Sequence, residues 1–154
     1  MWQRLTQRAK NVVFYAQEEA LSRRETLVTA HHLLLGLLRE NDSVAARLLD
    51  RMGVRLEALA QSVKQNLRAK AIFVRRFKLG LSDSGKAVID RAYQEARGLN
   101  NNYIGTEHLL LALIGDETGA GRALVDSGAS LERARREVAR LQEGPSAGDG
   151  DETS

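Results

Sequence analysis

"LSDSGKAVIDRAYQEA", residues 81–96, is the stretch on which the fold turns, because it supports two incompatible readings. With Gly80 before it, "GLSDSGKA" (80–87) matches the spacing of a phosphate loop: a glycine, four residues, then Gly85 and Lys86. Such a loop follows a buried strand, cradles phosphates with backbone N–H groups, and needs a Ser or Thr after the lysine to hold Mg²⁺. That position is Ala87. The other reading comes from sliding the chain against itself by 76 residues, which lays "LTQRAKNVVFYAQEEA" (5–20) onto 81–96 and "HHLLLGLL" (31–38) onto "EHLLLALI" (107–114).

The second reading prevails. Between 5 and 40, without a gap, Leu5, Lys10, Val12, Ala16, Glu19, Ala20, His32, Leu33, Leu34, Leu35 and Leu37 recur as Leu81, Lys86, Val88, Ala92, Glu95, Ala96, His108, Leu109, Leu110, Leu111 and Leu113. After one deletion, "GVRLEALAQSV" (53–63) meets "GASLERARREV" (128–138). The chain is a tandem duplication. Gly85 is then the copy of Ala9 and Lys86 of Lys10, so Gly85 reads as a tolerated helix residue and nucleotide binding is not expected.

Each repeat reads as four helices. The first has apolar positions 5, 9, 12, 13, 16 and 20, the three-and-four spacing that lines one face of a helix. Thr6 and Ser82 stand where an N-cap oxygen satisfies the first turn's free N–H groups. The second helix, "HHLLLGLL" or "EHLLLALI", is apolar nearly all round and is expected at the buried centre of its repeat, with Thr106 as cap and Glu107 in the first turn. The third runs from "NDS" (41–43) to Gly53 and from "GDETG" (115–119) to Gly128, both glycines suiting the position after a helix end. The fourth uses Leu56, Leu59, Ala60, Val63 and Leu67, copied as Leu131, Ala134 and Val138 with Leu141 beyond. The expected fold class is therefore all-α: a pseudo-twofold pair of four-helix units. Residues 1–143 form the double-repeat domain, with repeat one at 2–68, a connector at 69–80 and repeat two at 81–143. The tail 144–154 carries the one Pro and no large apolar residue, and is expected to be disordered and acidic.

Composition narrows the function. The 154 residues suffice for a core without staples, and the absence of Cys removes disulfides, thiolate metal sites and a cysteine nucleophile. No apolar run approaches the roughly 20 residues of a membrane span, so a soluble, cytoplasmic protein without a membrane partner is expected. Residues 1–80 hold fifteen Lys or Arg against seven Asp or Glu, and 81–154 eight against thirteen. Such a basic half, with "AKAIFVRRFKLG" (69–80), could serve nucleic acid, but no aromatic-interleaved basic motif accompanies it and the ordinary solvated face is preferred. His31 and His32 are adjacent, about 100° apart on a helix, and cannot grip one metal ion as an i, i+4 pair does. His32 and His108 share a repeat position and read as packed or hydrogen-bonded helix residues. With no nucleophile elbow or paired acids, neither an enzyme nor a cofactor nor a metal site is expected.

The doubled unit with "NYIGTEHLLLALI" (102–114), "LTQRAKNVVFYAQEEAL" (5–21), "VTAHHLLLGLLRENDSVAARLLDRMGV" (28–54) and "LERARREVARL" (131–141) resembles the amino-terminal domain of the Clp AAA+ unfoldases, ClpC type, over about residues 2–142. No ATPase module follows, so the resemblance implies a stand-alone version. It implies a non-enzymatic module that receives substrates and adaptors for a Clp unfoldase and the ClpP peptidase. It also implies one phosphoarginine pocket per repeat, where a carboxylate pairs with guanidinium and a helix start with its capping hydroxyl holds the phosphate. Carried over, the second pocket keeps Ser82 and Glu107. The first keeps Thr6 but has His31 in place of the acid, which would favour a bare phosphate when protonated. Two rivals stand beside this reading: an accessory subunit that docks on the protease or unfoldase, and a helical nucleic-acid-binding regulator.

Overall fold

In the computed structural model, residues 2–67 and 80–143 are described. The connector, apart from Gly80, and the tail lie outside them. After a 3-10 turn at Trp2–Arg4, repeat one runs α1 (Gln7–Ser22), β1 (Leu27–Val28), α2 (Ala30–Arg39), α3 (Val44–Arg51) and α4 (Leu56–Asn66). Repeat two runs β2 (Gly80–Leu81), α5 (Asp83–Gly98), α6 (Thr106–Ile114), α7 (Ala120–Asp126) and α8 (Leu131–Gln142). These are the four helices per repeat that the apolar spacing predicts.

The apolar helices α2 and α6 form the centre. Leu33, Leu34, Leu35 and Leu37 of α2 and Leu109, Leu110, Leu111 and Leu113 of α6 are all buried. Around them lie Val12 and Ala16 of α1 and Val88 and Ala92 of α5, the other expected core positions. Each fully buried Leu contributes about 1.5–3 kcal/mol relative to exposure, so this double layer carries much of the stability. On α4 and α8 only the inward side is buried, through Leu59 and Val63 and their copies Ala134 and Val138. Gly53 (φ +81°) and Gly128 (φ +114°) follow α3 and α7 in the left-handed region that ends a helix.

Gly85 lies inside α5, third in the helix, so after β2 the residues 82–87 form a capped helix start and not a phosphate loop. It is more than tolerated, however: a Cβ there would stand 2.5 Å from the Val28 carbonyl oxygen. A second correction concerns Thr106. The cap of α6 is Gly105, and Thr106 is the helix's first residue.

The repeats are joined by contacts that no sequence pattern announces. β1 and β2 pair in parallel, Leu27 with Gly80 and Val28 with Leu81. The related bridge Leu5–Ile104 repeats this join at the pseudo-symmetric place. These ladders are too short for any alternating pattern to announce, yet they fix how the helix starts meet.

Candidate functional site

Thr6 and Ser82 are N-caps, as expected: the Thr6 hydroxyl accepts from the Ala9 N–H and the Ser82 hydroxyl from the Gly85 N–H, both at 3.1 Å. Their partners across the molecule differ from the expected ones. The Thr6 N–H donates to the Ile104 carbonyl at 2.9 Å, just ahead of α6, and the Ser82 N–H to the Val28 carbonyl at 2.9 Å, just ahead of α2. Thr6 therefore sits at the Glu107 end and Ser82 at the His31 end. The groupings Ser82 with Glu107 and Thr6 with His31 are exchanged, because Ser82 and Glu107 are separated by α5, a 16-residue helix about 24 Å long, and its following connection. Each end is assembled from both repeats.

At each end three helix starts converge. At the Glu107 end these are α1, α6 and α3, the last held by the Ala45 N–H donating to the Thr106 hydroxyl at 3.3 Å. At the His31 end they are α5, α2 and α7. There the Ala30 N–H donates to the Ser84 hydroxyl at 3.0 Å, and Ser84 lies 3.0 Å from the Ser82 hydroxyl. The His31 ring packs against Gly119 (φ +125°) at the start of α7, where a Cβ would stand 2.8 Å from Nε2. Ser84 was not legible from the repeat, since its copy is Arg8. Asp116, also missed, accepts the Ala120 N–H at 3.1 Å and so completes the start of α7 in place of a capping side chain on Gly119.

Each helix start presents a partial positive charge. Three together favour an anion, and Glu107 adds to its end a buried carboxylate, a group that pairs with a guanidinium. The ends differ in access. Thr6, Ser43, Thr106 and Glu107 are buried, Glu107 at 0% exposure, whereas His31, Ser82 and Ser84 are half-buried. The Tyr103 hydroxyl donates to Glu107 Oε2 at 3.2 Å.

The two aligned histidines are structural. The Nδ1 of His32 accepts from the Thr29 N–H and that of His108 from the Gly105 N–H, each at 2.9 Å, so each ring braces the start of its own helix. With Nδ1 accepting, Nε2 of His108 carries the proton and meets Asn101 Oδ1 at 2.7 Å. Asn101 in turn pairs with Gln142 on α8. Burial pushes the His108 imidazole down to about 4. Among the described residues no cluster of His, Cys, Asp and Glu is arranged to hold a metal, and no helix is long and apolar enough to cross a membrane. A cleft of about 1030 Å³ lies elsewhere, between α2, α3 and α4, lined by Glu19, Arg39, Asp50, Leu56 and Lys64 among others and by none of the residues above.

Comparison with known proteins matches this geometry to a family. The chain is 37% identical over 142 residues to the negative regulator of genetic competence ClpC/MecB of Bacillus subtilis, covering 92% of this chain and 17% of that protein. It is 35% identical over 142 residues to the chloroplastic chaperone protein ClpC1 of Arabidopsis thaliana, covering 92% of this chain and 15% of that one. The chain thus spans about a sixth of the length of these relatives. Among solved structures, the N-terminal domain of the chaperone ClpD from Arabidopsis thaliana superposes with a TM-score of 0.72 at 25% identity, covering 94% of this chain and 97% of that one. The Clp repeat (R) N-terminal domain family matches residues 4–126 and again 80–153, and the chain belongs to that family.

Proposed function

We propose that this chain is a non-enzymatic receptor module that binds substrate or adaptor proteins for a Clp-type unfoldase and its peptidase, and that its ligand chemistry is phosphoarginine. The observation that carries the reading is the convergence of the α1, α3 and α6 starts on Glu107: backbone N–H groups for the phosphate, a carboxylate for the guanidinium. The site is Glu107 with Thr6. At the other end His31 stands where Glu107 stands, and the Asp116 carboxylate is engaged by the Thr118 and Ala120 N–H groups, leaving an incomplete pocket. A protein-binding role is supported by a solved complex of the ClpV N-domain with a VipB peptide, which shares this fold at a TM-score of 0.70 and 17% identity over 88% of this chain and 85% of that one.

The test is calorimetric titration with free phosphoarginine, with arginine and phosphate as controls, repeated on Glu107→Ala. Saturable binding of phosphoarginine alone, lost in the variant, supports the reading. Absence of binding contradicts it.

One observation favours a second reading. Glu107 is fully buried, so a chain that never opens there would act as an accessory subunit docked on the unfoldase or protease. Co-purification with the peptidase core in the absence of substrate would favour that role. The basic half gives less support to a nucleic-acid partner, because Arg8, Arg39 and Arg51 in it pair with Glu40, Glu18 and Glu137.

A further inference from the structure

The duplication supplies an internal control for access to Glu107. Position 103 precedes Glu107 by four residues, and its copy, position 27, precedes His31 by four. At 103 stands Tyr, half-buried, its hydroxyl on the Glu107 carboxylate and its ring 5.3 Å from that of His108. At 27 stands Leu, 45% exposed, and the first-turn residue behind it, His31, is half-buried where Glu107 is at 0%. Where the phenol is present the first-turn side chain is sealed. Where it is missing the corresponding side chain reaches solvent.

We infer that Tyr103 is a gate on Glu107: its hydroxyl occupies the carboxylate in the closed form, and a guanidinium ligand enters by displacing it. The gate belongs to the connection between α5 and α6, residues 99–105, so a swing of Tyr103 needs no change in either helix. A phenol hydroxyl is a neutral donor, and a guanidinium offers a charged fork of donors to the same oxygens, so the exchange runs toward the ligand. The gate is also selective. A cation without the fork geometry replaces the phenol less well. This inference rests on the phosphoarginine reading for the identity of the ligand but not for the gate itself.

Two measurements separate the two claims. The first is carbodiimide-driven amine labelling of carboxyl groups, read at Glu107 by mass spectrometry, in the natural chain, Tyr103→Phe and Tyr103→Leu. The second is calorimetric titration of the same proteins with phosphoarginine. Losing one hydrogen bond to a carboxylate shifts a closed-to-open ratio about tenfold, so Glu107 labelling is expected to rise by about that factor in both variants. Phosphoarginine is then expected to bind Tyr103→Phe about tenfold more tightly, since the fraction of competent molecules rises equally. Unchanged labelling in both variants overturns the gate, whatever the titration shows. Raised labelling with no phosphoarginine binding in any of the proteins upholds the gate and overturns the ligand. The Leu variant reproduces the residue of repeat one, guarding against an effect peculiar to Phe.

Discussion

The Thr6 N–H donates to the carbonyl of Ile104 across 2.9 Å, tying the first helix of one repeat to the second helix of the other. Ser82 and Val28 make the same bond at the pseudo-symmetric place. Neither repeat closes its own end. Each end draws on both copies, and the two ends diverge where Glu107 stands in one and His31 in the other.

The core prediction is direct. Leu111, at the centre of α6 and fully buried, is expected to cost about 2–5 kcal/mol when replaced by Ala, from lost transfer energy plus the cavity left behind. Urea unfolding of Leu111→Ala measures it, and an unchanged midpoint would displace α6 from the core.

Close helix crossings give an opposite-sign pair. A Cβ on Gly36 would stand 2.3 Å from the Val12 carbonyl oxygen, whereas one on Gly98 meets nothing within 4 Å. Gly36→Ala is expected to destabilise by about 1–3 kcal/mol through overpacking of α1 on α2. Gly98→Ala is expected to stabilise by about 0.5–1 kcal/mol through helix propensity. Thermal melts of the two variants should move in opposite directions.

Much of this fold was legible because the apolar spacing of α1, α2, α5 and α6 is both periodic and written twice. Val12 and Val88, or Leu34 and Leu110, announce each other as well as their faces. The site was legible only in its residue types. Thr6, Ser82 and Glu107 read from the sequence as caps and a first-turn acid, and as site residues only through the family resemblance, while which starts abut is set by two-residue ladders with no sequence signature. The steric need for Gly85 was hidden because its own copy is Ala9; the obstacle, the Val28 carbonyl, is backbone and leaves no mark on composition. Tyr103 carries a sequence signal, an aromatic four residues before an acid in "NYIGTEH", but the duplication does not repeat it, since its copy is Leu27.

Stability is expected to fall with acid through His108. Burial holds its imidazole at about 4 in the folded protein against 6.5 ordinarily. A depressed folded value means that the contribution is fully present above about pH 6.5 and is lost as pH falls toward 4. Between pH 7.5 and 4.5 the natural chain should lose about 2–3 kcal/mol more than His108→Gln, read by urea unfolding of both at the two values. Parallel losses would mean that His108 titrates normally.

Arg24 and its copy Asn100 both follow their helices with left-handed backbone, φ 57° and 60°. Asn tolerates that region better than Arg, so Arg24→Asn is expected to stabilise by about 0.5 kcal/mol. A lowered melting temperature would show that the Arg side chain contributes more than its backbone costs.

Amide NMR of the natural chain titrated with phosphoarginine reports which helix starts of the two repeats share a pocket. Saturable shifts are expected at the amides of Thr6, Ala9, Thr106 and Glu107, with Ser82 and Gly85 unmoved. Shifts that join Glu107 to Ser82 and Gly85, with Thr6 and Ala9 still, would contradict the pairing of Thr6 with Glu107.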